Sequence, residues 1–240
     1  MTVLEFIPSG LLVALFGLLV LRRIYTALPC FFAYAAFAVG ADLARFVSHS
    51  HQYSYYLTYW ITEAGYGLLG ILVMYEVLRT VLGNLTRAWW VRYIFPFLLV
   101  AGVGVTLARI DAVPSQIVGL PVYIFAGEIA VRFVEVMVFA GLVTLVPLLG
   151  LRWRQYSFGV ATGFGVYATV MLLTTAKFSD FGTRFKLLWG WTSVVAYSVA
   201  VLIWIWFFSV PQKAETPTPD LSAPSPGDLK QYKDALRRMR

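Results

Sequence analysis

Apolar positions along the chain gather into seven nearly unbroken runs, at residues 4–21, 29–47, 55–78, 93–109, 121–149, 157–176 and 187–209, separated by short polar segments. Each run is close to or above the roughly 20 residues that an α-helix needs to cross a hydrocarbon layer about 30 Å thick. Strands in a soluble core are far shorter, and in lipid only a helix or a closed barrel pairs every backbone N–H and C=O. The pattern therefore predicts an all-α fold: a polytopic transmembrane helix bundle with seven spans, occupying residues 1–210. The second run is the least apolar, because Asp42 and Arg45 stand near its far end without breaking the helical pattern.

Composition supports this assignment. Hydrophobic residues make up 60% of the 240 positions and charged residues 13%, with a mean hydropathy of +0.75. Soluble domains carry about 25% charged residues, so a water-soluble globular protein is excluded. The first run carries Glu5 in place of a positive leader and is followed by Arg22 and Arg23 rather than a small-residue cleavage site, so it is expected to remain as a span.

The net charge of +7 does not point to nucleic acid, since basic residues are enriched in cytoplasmic loops of membrane proteins. With the N-terminus outside, thirteen Lys and Arg residues fall on the inner side and five on the outer, Arg132 lying within a span. This bias predicts an N-out, C-in orientation in a bacterial cytoplasmic membrane, with the lipid bilayer as the first partner. Aromatic residues cluster at expected interfaces: Tyr53, Tyr55, Tyr56 and Trp60 outside, Trp89 and Trp90 inside, Trp189 and Trp191 outside.

The pattern stops at Pro211. Residues 211–227 hold five of the eleven prolines among small and polar residues, a composition that reads as a flexible cytoplasmic linker. In residues 228–240, Leu229, Tyr232, Leu236 and Met239 recur near helical spacing, with Lys230, Lys233, Arg237, Arg238 and Arg240 beside them and Asp228 as N-cap. Such a short basic amphipathic helix suits the anionic inner leaflet or a partner protein, although a helix of this length is marginal alone.

Ionisable residues inside spans are expensive and mark candidate sites. Glu128, Arg132 and Glu135 of the fifth span are spaced i, i+4 and i+7, which confines them to an arc of about 60°. On the third span Tyr59, Glu63, Tyr66 and Gly70 share a face, a carboxylate between phenols with a glycine that permits close approach. With Asp42 and Arg45 of the second span, these residues outline an outward-opening polar pocket, walled in part by Trp191, Thr192 and Ser193 of the seventh. Glu76 lies at the inner end of the third span on another face and falls outside this group. The charges are open to three readings: a ligand or ion site, a proton relay, or a network that fixes which helices pack together. On the sixth span Gly159 and Gly163 form a small-xxx-small packing face, whose partner is another span or a second subunit.

Catalytic signatures are missing. His49 and His51 form a His-x-His pair in a loop with no set of further ligands at zinc spacing, and HExxH, GxSxG and Walker A motifs are absent, so neither metal nor cofactor is expected. Seven spans invite comparison with rhodopsins and G-protein-coupled receptors, but the seventh span has no mid-span lysine for a Schiff base, and neither Asp-Arg-Tyr nor Asn-Pro-x-x-Tyr occurs. The lone Cys30 cannot form an intrachain disulfide. No internal repeat relates the two halves, and apart from Pro147 no proline is expected to interrupt a span. The stretches Tyr59-Trp60-Ile61-Thr62-Glu63, Tyr75-Glu76 and Phe158 to Gly165 resemble a group of seven-span membrane proteins in acidobacterial genomes. That resemblance covers the spans but not the tail, implies the seven-helix fold, and carries no activity or site residue. The sequence leaves two functional readings. One is a non-enzymatic sensor, receptor-like module or accessory subunit of a membrane complex, alone or as a homo-oligomer. The other is a small-solute or ion transporter using the intramembrane Glu and Arg residues.

Overall fold

The computed structural model describes residues 6–82, 89–108, 119–148, 155–181 and 186–210. The linker and basic tail expected at 211–240, with Lys230, Lys233, Arg237, Arg238 and Arg240, lie outside these residues, as do the side chains of Trp89, Trp90 and Trp189. The described chain is helical: α1 Phe6–Leu21, α2 Pro29–Ser48, α3 Gln52–Leu82, α4 Trp89–Ala108, α5 Leu120–Leu148, α6 Gln155–Phe181 and α7 Lys186–Ser209. Five of them, α2, α3, α5, α6 and α7, contain stretches long and apolar enough to cross a membrane; α1 and α4 contribute shorter apolar stretches. These features are compatible with an integral membrane protein in contact with lipid.

Most helix bounds follow the apolar runs, and the differences have local causes. α3 extends three residues earlier and four later than its run, because Gln52 to Ser54 and Arg79 to Leu82 are polar or mixed but continue the backbone ladder. α4 begins at Trp89 rather than residue 93, so Pro96 stands inside the helix. This corrects the expectation that Pro147 alone interrupts a span. A single Gly119 with φ of 77° precedes α5, a left-handed conformation that glycine adopts without Cβ strain.

Neighbouring helices run antiparallel, as paired contacts along them show. Glu76 of α3 meets Cys30 and Phe31 at the start of α2, whereas Glu63 meets Arg45 near the end of α2. On α1, Ser9 bonds Asp42 of α2 and Phe16 stacks on Phe32. Gly159 and Gly163 of α6 face Phe207 and Trp204 of α7, and Gly102 of α4 faces Val134 of α5. α1 closes the circuit against α7, where Arg22 donates to the Ser209 carbonyl at 2.8 Å.

The core is aromatic. Phe31, Tyr34, Phe164, Trp204 and Phe208 are buried and pack ring against ring between α2, α6 and α7, with Phe31 and Trp204 at 5.2 Å in an edge-on contact. Edge-on pairs of this kind add about 0.5–1.5 kcal/mol each beyond simple burial. Large apolar side chains also cover the outside, among them Leu43, Leu68, Phe97, Val100, Leu173 and Trp206. In water an apolar exterior of this extent would be a liability, whereas hydrocarbon solvates it without cost.

Candidate functional site

The intramembrane charges form two clusters on facing helices. The first joins α2 to α3. Arg45 donates to Glu63 at 2.9 Å and to the hydroxyl of Thr62 at 2.8 Å, and its guanidinium lies over the rings of Tyr59 and Tyr66, 4.8 and 5.6 Å from their centroids. Thr62, buried, also hydrogen-bonds the Thr58 and Tyr59 carbonyls of its own helix. A cation set between an acidic group and two ring faces is answered on several sides, as its removal from water requires.

The second cluster belongs to α5 and α6. Arg132 donates to Glu135 at 3.0 Å and to Glu128 at 3.3 Å, both on its own helix, and lies 4.5 Å from the ring centroid of Tyr167 on α6. Glu135 is 1% exposed, so removing Arg132 would strand a buried carboxylate; breaking such a pair costs about 3–5 kcal/mol. Gly70 of α3 connects the clusters. A methyl group at that position would lie 2.8 Å from the Glu135 carboxylate oxygen, so the acid sits against bare α3 backbone.

Between α3, α4 and α5 lies a cleft of about 370 Å³. Glu63 and Glu128 reach its wall, which is otherwise apolar: Gly67, Leu68 and Ile71 of α3, Leu99 and Val103 of α4, and Val131 and Val134 of α5. Its origin is visible in the packing. α4 packs closely on α5 and touches α3 through Phe95 and Tyr75, whose ring centroids are 5.2 Å apart; beyond that contact the cleft opens between the helices.

The structure brings Arg45, Tyr59, Glu63 and Tyr66 together on one side and Glu128, Arg132 and Glu135 on the other. Asp42 instead accepts a hydrogen bond from Ser9 of α1 at 2.7 Å, and of the residues expected to form one pocket only Glu63 and Glu128 line the cleft. The wall assigned from sequence to Trp191, Thr192 and Ser193 comes from α4; Trp191 is exposed, and α7 reaches the second cluster through Tyr197, packed on Tyr167 at 5.7 Å. Gly159 and Gly163 pack within the chain, receiving Phe207 and Trp204 of α7. His49 packs edge-on against Tyr55, His51 contacts Ser50, and among the described residues no group of His, Cys, Asp and Glu is arranged to hold a metal ion.

Two contributors to the clusters, Tyr167 and Thr62, carry no signal that the sequence analysis used, and Glu76 stands outside them as expected. Tyr167 continues the buried face Val160, Phe164, Met171 and Thr174 of α6, a helical spacing that marks it as inward-facing. Thr62 stands beside Glu63 and one turn from Tyr59. Glu76 caps a different helix: its two carboxylate oxygens accept the backbone N–H groups of Cys30 and Phe31, each at 3.0 Å. A search of family models, curated proteins and solved structures finds no match to this chain.

Proposed function

We propose that this chain is a seven-span protein of a bacterial cytoplasmic membrane, N-terminus outside and C-terminus inside, acting without catalysis as a receptor-like module that binds a small ligand in the cleft between α3, α4 and α5. The observation that carries the reading is the cleft itself. Its volume of about 370 Å³ falls within the range of small-molecule sites, roughly 300–1,000 Å³, and it has the usual chemistry of an apolar wall with a few polar groups at one end. Both of its acidic groups are fixed from behind by arginines, so the site is held in shape before a ligand arrives. The resemblance to acidobacterial seven-span proteins agrees with the span number and adds no activity.

The test is a thermal-unfolding screen of the detergent-purified chain against a chemically diverse library of small molecules. Compounds that raise the unfolding temperature of the wild-type chain are expected to lose that effect in Gly67→Leu, whose added side chain occupies the cleft; a methyl group at this position meets only Val131, at ordinary contact distance. A library without stabilising compounds, or compounds equally effective on Gly67→Leu, would overturn the reading. The carrier reading draws on the same ionisable groups and differs in one outcome: ligand flux across proteoliposomes that Glu63→Gln or Glu128→Gln abolishes.

A further inference from the structure

The cleft between α3, α4 and α5 is charged in one sign only. Glu63 and Glu128 line it, whereas the arginines that pair with them stand behind the wall: Arg45 in the α2–α3 contact and Arg132 toward Tyr167 of α6. Three carboxylates, Glu63, Glu128 and Glu135, share these two guanidiniums, so the described network holds one acidic group more than it has cations. Glu128 is the least firmly held. Its contact with Arg132 is a single one at 3.3 Å with 21% of its side chain exposed, against 3.0 Å and 1% for Glu135.

The charge also has a direction. α3 and α5 run parallel, with Gly67 against Val131 and Gly70 against Val131 and Glu135. Glu63 and Glu128 therefore lie together about one turn before that contact, while Ile71, Val134 and Leu99 close the opposite end. The cleft has an anionic head and an apolar body.

We propose that the ligand is an amphipathic organic cation: an ammonium group held by Glu128 and Glu63, carrying an alkyl or aryl body that fills the space toward Leu99 and Val134. The inference rests on the receptor-like reading. A carboxylate held by one long contact in apolar surroundings is costly, and an ammonium group offsets that cost where a neutral tail leaves it standing and an anion adds repulsion. A bare alkali ion satisfies the head but leaves the apolar end of the cleft unused.

The probes are 4-phenylbutylamine, 4-phenylbutanol and 4-phenylbutyrate, which share one body and differ in charge, each titrated against the full chain in mild detergent at neutral pH. Thermal unfolding and calorimetry are expected to show binding of the amine and not of the other two, and Glu128→Gln to weaken it about tenfold or more, the value of one hydrogen bond to a charged group. Should Glu128→Gln fail to fold, the comparison of the three probes on the wild-type chain, with Gly67→Leu as the filled control, decides the matter. Equal binding of amine and alcohol, or amine binding unchanged in Glu128→Gln, overturns the cation while leaving the receptor-like reading intact. If none of the three binds while other library compounds do, the cation is likewise overturned. If nothing in the library binds, both inferences fall together.

Discussion

At the scale of single residues, Glu76 shows how a membrane helix begins without a local cap. The residue before α2 is Leu28, which has no side-chain acceptor, and Pro29 removes one N–H from the first turn. In water the remaining N–H groups would bond solvent; here Glu76, one helix away, accepts two of them and places a negative charge at the positive end of the α2 dipole. Glu76→Gln keeps the side-chain shape but loses the charge and one acceptor oxygen. It is expected to destabilise the purified chain by about 1–3 kcal/mol, the cost of leaving a buried donor unmet. Thermal unfolding in detergent checks this, and an unchanged midpoint would mean that the α2 start finds another acceptor. The role was not legible in the sequence, because a cap supplied by a residue forty-five positions downstream leaves no local spacing to read.

At the scale of elements, helix positions were legible and helix partners were not. Runs of apolar residues define where a helix lies, since the bilayer sets its length, but an apolar surface looks alike whether it faces lipid or a neighbour. Hence the stripe Glu128, Arg132 and Glu135 was visible from spacing, while the wall that completes the cleft was assigned to α7 instead of α4. The glycines of α6 were legible as a packing face, yet only the structure identifies what fills it: Trp204 at Gly163 and Phe207 at Gly159, aromatic rings set into notches on the facing helix. Gly163→Leu should force Trp204 out of its place and separate α6 from α7, at a cost of about 3 kcal/mol or more, since overpacking alone costs about 1–3 kcal/mol and the displaced indole loses its own contacts. Gly104→Leu is the matched control, because nothing lies within 4 Å of a methyl group built there. A large fall in unfolding temperature for Gly163→Leu beside little change for Gly104→Leu is the expected result; equal effects would show that these glycines matter for backbone reasons and not for the notch.

At the scale of the whole bundle, two shorter apolar helices, α1 and α4, pack among five that are long and apolar enough to cross a membrane. α1 has 16 residues and a rise of about 24 Å, less than a full hydrocarbon layer, and α4 has 20 residues and about 30 Å. Their contacts favour crossing. α1 meets Asp42 near the end of α2 through Ser9, and the end of α7 through Arg22, so it runs between the same two ends of the bundle as its neighbours. α4 runs antiparallel to α5 past Gly102 and Val134, and meets α3 at Phe95. Arg22, Arg23 and Arg79 stand at the end that holds Glu76 and Ser209, whereas Arg45 at the opposite end is neutralised by Glu63. In the proposed orientation the end with Arg22, Arg23 and Arg79 faces the cytoplasm, in line with the enrichment of basic residues on that side. Reporters that are active on one side only, fused after residues 25, 86 and 152 and at the C-terminus, are therefore expected to report the cytoplasm, and those fused after 50, 113 and 183 the outside. Each helix is tested separately by this series: if α4 did not cross, fusions after 86 and 113 would report the same face, and if α1 did not, the N-terminus and residue 25 would share a side. Placed this way up, the acidic end of the cleft lies in the outer half of the membrane, the half from which a cationic ligand outside the cell would reach Glu63 and Glu128.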